Sequence, residues 1–467
     1  MNPRLWKGLI VIAIGVAIWL SPVPAGLKQQ AWNLFAIFAA TIAALILQPL
    51  PMGVTCFVSI TFTALVGVLT PAQVLSGFGN STIWLIVSAF LFSRAFIKTG
   101  LGRRIAFLIM RAIGHRTLNL AYALALSDLI ISPATPSVTA RSGGIIFPIA
   151  KSLAVAFNSE PGPTSRRMGA FLIQSVTHVS MVTSTLFLTS QAGNTLVAAL
   201  AAKTLNYQID WLLWFKASVV PGMISFALMP YLLYKFYAPE IRETPEAKQI
   251  AQKELDEMGA MKTSEKILVF VFITSLVLWA TGQWTKIDPT VVGMLGVAIM
   301  LVGNVLDWQD MIGERSAWDT MIWMGSIITL AGFLNSLGFI AWFSKLVGGA
   351  IVGLSWTVAL AVILVLYMYT QYSFAGLSAH VTALFPALAA VAIATGAPVA
   401  MTVLSLGFVS SLCGCLTHYA SGPSPIFFGA GYTDVKTWWK IGFLISVVHL
   451  LVWGIIGSAW WKIIGLW

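Results

Sequence analysis

Residues 370–386 read TQYSFAGLSAHVTALFP and residues 416–428 read LTHYASGPSPIFF. Both lie within Leu346–Thr433, 88 consecutive positions without Asp, Glu, Lys or Arg. One bilayer crossing takes about 20 apolar residues, so this window holds several. Its punctuation comes from Gly376, Pro386, Gly422, Pro423 and Pro425 rather than from charge. A second charge-free window, Gln29–Ser93, runs 65 residues and is divided at Pro49-Leu50-Pro51 and again between Thr70 and Asn80.

The composition agrees. Of 467 residues, 58% are hydrophobic and 9% charged, and mean hydropathy is +0.87. A soluble domain carries about 25% charged residues. These figures exclude a cytosolic enzyme, a nucleic-acid-binding module and a disordered tail. They indicate an all-α polytopic membrane protein. The net charge of +11 is read as basic residues gathered in cytoplasmic loops. Cys56, Cys413 and Cys415 lack metal-ligand spacing and are read as small packing residues.

The expected organisation is an N-terminal helix (1–28) and a first repeat (29–238), followed by a charged linker (239–265) and a second repeat (266–467). The apolar run Gly8–Leu27 is expected to be a retained first helix of a bacterial inner-membrane protein. Other spans are expected at 82–98, 104–124, 168–202, 212–235, 266–284, 290–306, 318–344, 350–370, 398–417 and 440–463. The linker holds 7 of the 16 acids, interleaved with Lys248, Lys253 and Lys262. It is expected to be a solvated, partly helical cytoplasmic connector.

The halves share landmarks at one offset. Trp84 matches Trp323, Ser137 matches Ser378, and Thr177-His178 matches Thr417-His418, at spacings of 239 to 241. Lys98, Arg103, Arg104, Arg111 and Arg116 follow the first Trp helix, whereas the equivalent stretch of the second half has only Lys345. By the positive-inside rule equivalent loops face opposite sides, which predicts an inverted-topology repeat.

Residues 125–155 are interrupted by Pro133, Pro136, Gly143, Gly144 and Pro148. They predict a re-entrant hairpin with its tip at Ser137-Val138-Thr139. A second hairpin is predicted at 371–396, with its tip at Ser378-Ala379-His380. Broken backbone at membrane depth is tolerated where it is buried or lines a cavity. A half-helix N-terminus there offers N–H groups to a carboxylate. Thr417, Ser421 and Ser424 are candidate lining residues beside the Gly-Pro break. Asn80 and Thr82, before the Trp84 helix, are further candidates. Arg141 reads either as a counter-charge or as a cytoplasmic anchor. No Walker motif, metal box, nucleophile elbow or voltage-sensor Arg ladder is present, so no cofactor, no resident metal and no enzymatic role are expected.

Pro136-Ser137-Val138-Thr139-Ala140-Arg141, Leu377-Ser378-Ala379-His380-Val381-Thr382 and Thr417-His418-Tyr419-Ala420-Ser421-Gly422-Pro423 resemble the divalent anion/sodium symporter family. The likeness is to its exchanger branch of bacterial citrate/succinate and tartrate/succinate antiporters and plastid 2-oxoglutarate/malate translocators. The resemblance implies a homodimer of eleven-helix protomers, scaffold and transport domains, two re-entrant hairpins and elevator-type exchange of di- or tricarboxylates. It places substrate at the tip positions Ser137, Val138, Thr139, Ser378 and Ala379, and His380 is expected to hold a carboxylate with them. Sodium-coupled members carry Asn where this chain has Val138 and Ala379, and His380 replaces a Thr. These departures fit sodium-independent antiport, with His380 supplying positive charge. The alternatives are a sodium- or proton-coupled symporter, a channel and a membrane-embedded enzyme. The last two lack, respectively, a continuous polar lining and a catalytic constellation.

Overall fold

The computed structural model describes residues 3–350 and 355–467. Residues 351–354, at the head of the expected 350–370 span, lie outside them, as do residues 1 and 2. Among the described residues the regular elements are helical, with one isolated bridge between Arg116 and Glu243. Nine of the helices are long and apolar enough to cross a bilayer. Helix satisfies its own backbone, which is what a chain this poor in charge needs in lipid. The all-α polytopic class read from composition therefore holds.

The helix Ser81–Thr99 illustrates the local rules. Asn80 caps its first turn by accepting from the Thr82 amide at 2.9 Å. Lys98 sits in its last turn, and Gly100 ends it at φ 77°. Twelve of its residues are buried, because Pro289–Val302, Arg315–Ser336 and Ala192–Leu205 all pack on it. Gly293 and Gly296 bring Pro289–Val302 close enough to touch Ser88 and Phe92.

Several expected spans divide. The 104–124 span breaks at Gly114 into Leu101–Ile113 and Thr117–Ile131. The 318–344 span ends at Ser336, with Gly338 at φ 87° before Phe339–Ala350. The 168–202 span is two helices, Gly169–Leu186 and Ala192–Leu205, separated by non-α backbone at 187–191. We call this segment break 1. Its counterpart, break 2, is residues 416–423, between Val399–Leu412 (extended by a short 3-10 turn) and Ser424–Gly429.

The linker is more than a solvated connector. Its helix Glu246–Met258 buries Ala247, Ala251 and Leu255 against Leu101–Ile113. Arg104 reaches Glu265 at 2.7 Å and the Gly259 carbonyl at 2.9 Å. Arg103 pairs with Glu254, Arg116 with Glu243 at 3.2 Å, and Arg111 donates to Gln252 at 2.9 Å. The basic cluster read as an orientation signal is thus also the dock for the acidic linker.

Candidate functional site

Two segments reverse direction inside the protein. In hairpin 1, Thr117–Ile131 leads through a 3-10 turn to an irregular tip at 135–137. The return arm starts as π-helix (Thr139–Ile146) and continues as Phe147–Ala156. In hairpin 2, Trp356–Thr370 leads through a 3-10 turn to a tip at 374–376, and Leu377–Ala394 returns. The reversal is evident from contacts: Asp128 bonds Arg141 and Ser142, and Tyr367 stacks on His380.

Arg141 is fully buried, and all five of its N–H groups are used. Nε donates to Asp128 at 3.1 Å. One terminal nitrogen donates to the Thr135 carbonyl at 2.8 Å and the Ser190 carbonyl at 3.0 Å. The other donates to Thr183 at 3.3 Å and Ser184 at 2.8 Å. Asp128 also accepts from Ser142 at 2.5 Å and from the Thr183 hydroxyl. Arg141 is therefore neither a surface anchor nor an open counter-charge. It clamps tip 1 onto break 1.

Hairpin 2 is fastened to break 2 in a parallel way by a neutral group. Gln371, fully buried, donates to the Phe374 carbonyl at 3.1 Å and the Ala420 carbonyl at 3.2 Å. The Tyr419 hydroxyl donates to the Tyr372 carbonyl at 2.9 Å.

Break 1 frees carbonyls that the helix no longer satisfies. Asn194 donates to Ser184 O at 2.7 Å and Phe187 O at 3.0 Å. Trp214 donates to Thr185 O at 2.9 Å, and Ser218 to Leu186 O at 2.7 Å. Each freed carbonyl from Ser184 to Phe187, and that of Ser190, thus receives a side-chain donor.

The tips and breaks of the two halves meet crosswise. Gly422 approaches Thr139 so closely that an added Cβ would strike its hydroxyl. Gly143 faces Pro423 and Ile426. Val381, one turn into hairpin 2's return arm, lies over Gly193, just after break 1, and Leu377 and Met181 both pack on Gly414.

Against that frame the candidate residues separate. Ser137 is half-buried and Thr139 exposed. The Ser137 hydroxyl accepts from the Ala140 amide at 3.1 Å, and Val138 is buried beneath. Ser378 is half-buried, Ala379 is buried, and the Gly376 N-cap of Leu377–Ala394 makes no side-chain cap bond. His380 is fully buried rather than presented on the tip surface. It stacks on Tyr367 at 4.3 Å, meets Phe374 edge-on at 5.0 Å, and its Nε2 bonds the Thr370 hydroxyl at 2.9 Å. Ser421 and Ser424 are buried and bond each other at 2.6 Å, flanking the Gly422-Pro423 contact with tip 1. Thr417 is fully buried, and its hydroxyl has no partner. Asn80 acts as a helix cap, and Thr82 supplies the capped amide. The turn just before them packs chiefly on Arg315–Ser336, with Gly77 against Gly325 and Thr329. Sequence reasoning missed the clamps Arg141–Asp128 and Gln371, along with the capping residues Asn194, Trp214 and Ser218. A buried charge pair flanking a Pro-rich break was the available signal. Among the described residues no cluster of His, Cys, Asp and Glu could hold a metal ion.

Comparison with known proteins places this arrangement. Residues 2–467 match the family model described as the sodium:sulfate symporter transmembrane region. The chain is 48% identical over 460 residues to the "Putative malate transporter YflS" of Bacillus subtilis (strain 168), covering 98% of this chain and 96% of that protein. It is 42% identical over 476 residues to "Dicarboxylate transporter 1, chloroplastic" of Arabidopsis thaliana, covering 100% and 85%. It is 38% identical over 476 residues to "Inner membrane protein YbhI" of Escherichia coli (strain K12), covering 100% and 99%. In fold it resembles the Alcanivorax borkumensis YdaH transporter, with a TM-score of 0.59 at 13% identity over 99% of each chain. It also resembles Neisseria gonorrhoeae MtrF, with a TM-score of 0.60 at 12% identity over 98% and 95%. The chain is a multi-pass membrane transporter and belongs to the sodium:sulfate symporter family, the divalent anion/sodium symporters.

Proposed function

We propose that this protein exchanges di- or tricarboxylates across a bacterial inner membrane without coupling to sodium. Its two halves act as an inverted repeat in a homodimer, and access alternates by an elevator movement. Two of the relatives carry names for malate or dicarboxylate transport, which supports the substrate class. Carboxylates bind between the tips, at Ser137, Thr139 and Ser378, with backbone N–H groups at the starts of the return arms. Thr417, Ser421 and Ser424 back the site.

One observation carries the sodium-independent part. Where transporter helices unwind, freed carbonyls are the usual ligands for a coupling cation. Here the carbonyls joining each tip to its break already accept N–H bonds from protein: Thr135 and Ser190 from Arg141, Phe374 and Ala420 from Gln371. A carrier whose cation positions are filled by its own side chains has a dianion, not a cation gradient, as its return load.

The test is counterflow in proteoliposomes loaded with unlabelled malate or 2-oxoglutarate, following labelled dicarboxylate with and without sodium. Uptake that needs internal dicarboxylate and ignores sodium is expected. Uptake into empty vesicles that rises with a sodium gradient would establish the symport alternative instead.

A further inference from the structure

We propose that Tyr367 and His380 are positioning residues, the counterparts in hairpin 2 of Asp128 and Arg141. Their neutral contact makes tip 2 the jaw that moves when substrate enters, while tip 1 stays fixed. The inference rests on the proposed reading that the two tips face the substrate.

The equivalence is positional. In the fold the 3-10 turns Ser132–Ala134 and Gln371–Ser373, and the tips 135–137 and 374–376, are 239 positions apart. This corrects the spacing of 241 that matches Ser137 with Ser378 and His380 with Thr139; in this register Tyr367 falls on Asp128 and His380 on Arg141. Within each pair the residues are 13 apart and touch across the reversal. The chemistry differs. The first pair is charged, and every guanidinium donor is satisfied. The second is a ring stack, with one hydrogen bond between His380 Nε2 and the Thr370 hydroxyl. The Tyr367 hydroxyl and His380 Nδ1 are buried without partners. A charge-assisted bond is about twice as strong as a neutral one, and unsatisfied buried polar atoms favour opening.

The tip backbones differ in the same sense. Tip 1 is approached through Ser132-Pro133-Ala134-Thr135-Pro136, whose prolines fix φ. Tip 2 is Phe374-Ala375-Gly376, without proline, and Gly376 adopts φ 145°. That conformation is open to glycine and nearly closed to other residues, and glycine is where a hinge absorbs rotation most cheaply. Ser373 and Ala375 are exposed on this tip, whereas Pro133, Ala134, Thr135 and Pro136 are buried on the other.

Hydrogen–deuterium exchange on the full-length protein in nanodiscs, with and without succinate, tests the asymmetry. Amides of 371–380 are expected to exchange at least tenfold faster than those of 132–141, and to slow on adding succinate. Equal rates, or a faster tip 1, would overturn the proposal. A second test transplants the charged clamp as Tyr367→Asp with His380→Arg. Exchange transport is expected to slow about tenfold at unchanged half-saturation, with 371–380 slowed to the rate of 132–141. Rigid tip 2 amides with undiminished transport would overturn it. If counterflow fails in wild type, the substrate reading falls, but amide exchange in the absence of succinate still decides the asymmetry.

Discussion

Replacing Arg141 by Ala should turn the clamp into a cation site. The guanidinium is held by Asp128, two carbonyls (Thr135 and Ser190) and two hydroxyls (Thr183 and Ser184). Removing it leaves an all-oxygen cage with one carboxylate, the kind of donor set that hard cations take. Asp128 is only 2% exposed, so the variant holds an uncompensated buried charge. Breaking such a pair from one side costs about 3–5 kcal/mol. A cation at one hundred times its dissociation constant returns about 2.7 kcal/mol of that. Thermal unfolding in detergent, followed by intrinsic fluorescence, should therefore show the variant strongly destabilised in choline chloride and largely restored in sodium chloride at equal ionic strength. Wild type should unfold at the same temperature in both salts. Adding Asp128→Asn to the variant should abolish the sodium response. If Arg141→Ala loses under about 1 kcal/mol, or gains nothing from sodium, the guanidinium is not standing where a cation would, and the argument for sodium-independent exchange loses its support. A sodium response in wild type would refute it more directly.

Four further outcomes follow from local geometry. Arg104→Met should free the linker, because it removes the Glu265 pair and a bond to Gly259 O; trypsin should then cut after Lys253 or Lys262 at least tenfold faster. Gly422→Ala should push on the rotatable Thr139 hydroxyl and weaken substrate half-saturation severalfold with little loss of stability. Gly442→Ala, by contrast, places its methyl on the carbonyls of Cys415 and Leu416, and should lower stability by about 1–3 kcal/mol, seen as a lower unfolding temperature. The Asp310 carboxyl is pushed up by burial, but hydrogen bonds from Lys98, the Asp307 amide side of the capping box and Arg94 outweigh this and hold it down at about 2. A depressed carboxylate stabilises the fold above its unfolded value, near 4, and loses that contribution as pH falls through about 2. The stability difference between wild type and Asp310→Asn should thus be flat from pH 7 to about 4 and shrink below.

What the sequence made legible was punctuation written in residue types. Pro133, Pro136 and Gly376 mark tips, and the absence of charge between Leu346 and Thr433 marks membrane. Break 1 was not legible, since Phe187–Gln191 contains neither Pro nor Gly. That helix stops because Asn194, Trp214 and Ser218, all further along the chain, take its carbonyls. Arg141 was visible, but its meaning was not. Its partners span residues 128 to 190, and only the folded chain brings them within one guanidinium's reach. His380 drew attention as a lone intramembrane histidine, yet burial against Tyr367 and Phe374 is a packing fact that no local pattern encodes.

The proposed exchange also explains why an empty carrier would be slow. The tips carry hydroxyls at Ser137, Thr139 and Ser378, and the helix from Leu377 starts without a side-chain cap. While open to water these groups are solvated. An elevator movement would carry them past a less polar environment, where each unsatisfied donor costs about 1–3 kcal/mol. A dicarboxylate supplies acceptors at both ends and removes that cost. In a cation-coupled carrier the bound cation helps decide when the movement occurs. Here Arg141 and Gln371 already occupy the tip–break carbonyls, so under the proposed exchange the dianion alone separates the mobile state from the stalled one. On this reading a dicarboxylate entering must wait for another to have left, and obligatory exchange is the expected kinetics of a site whose only exchangeable charge is its substrate.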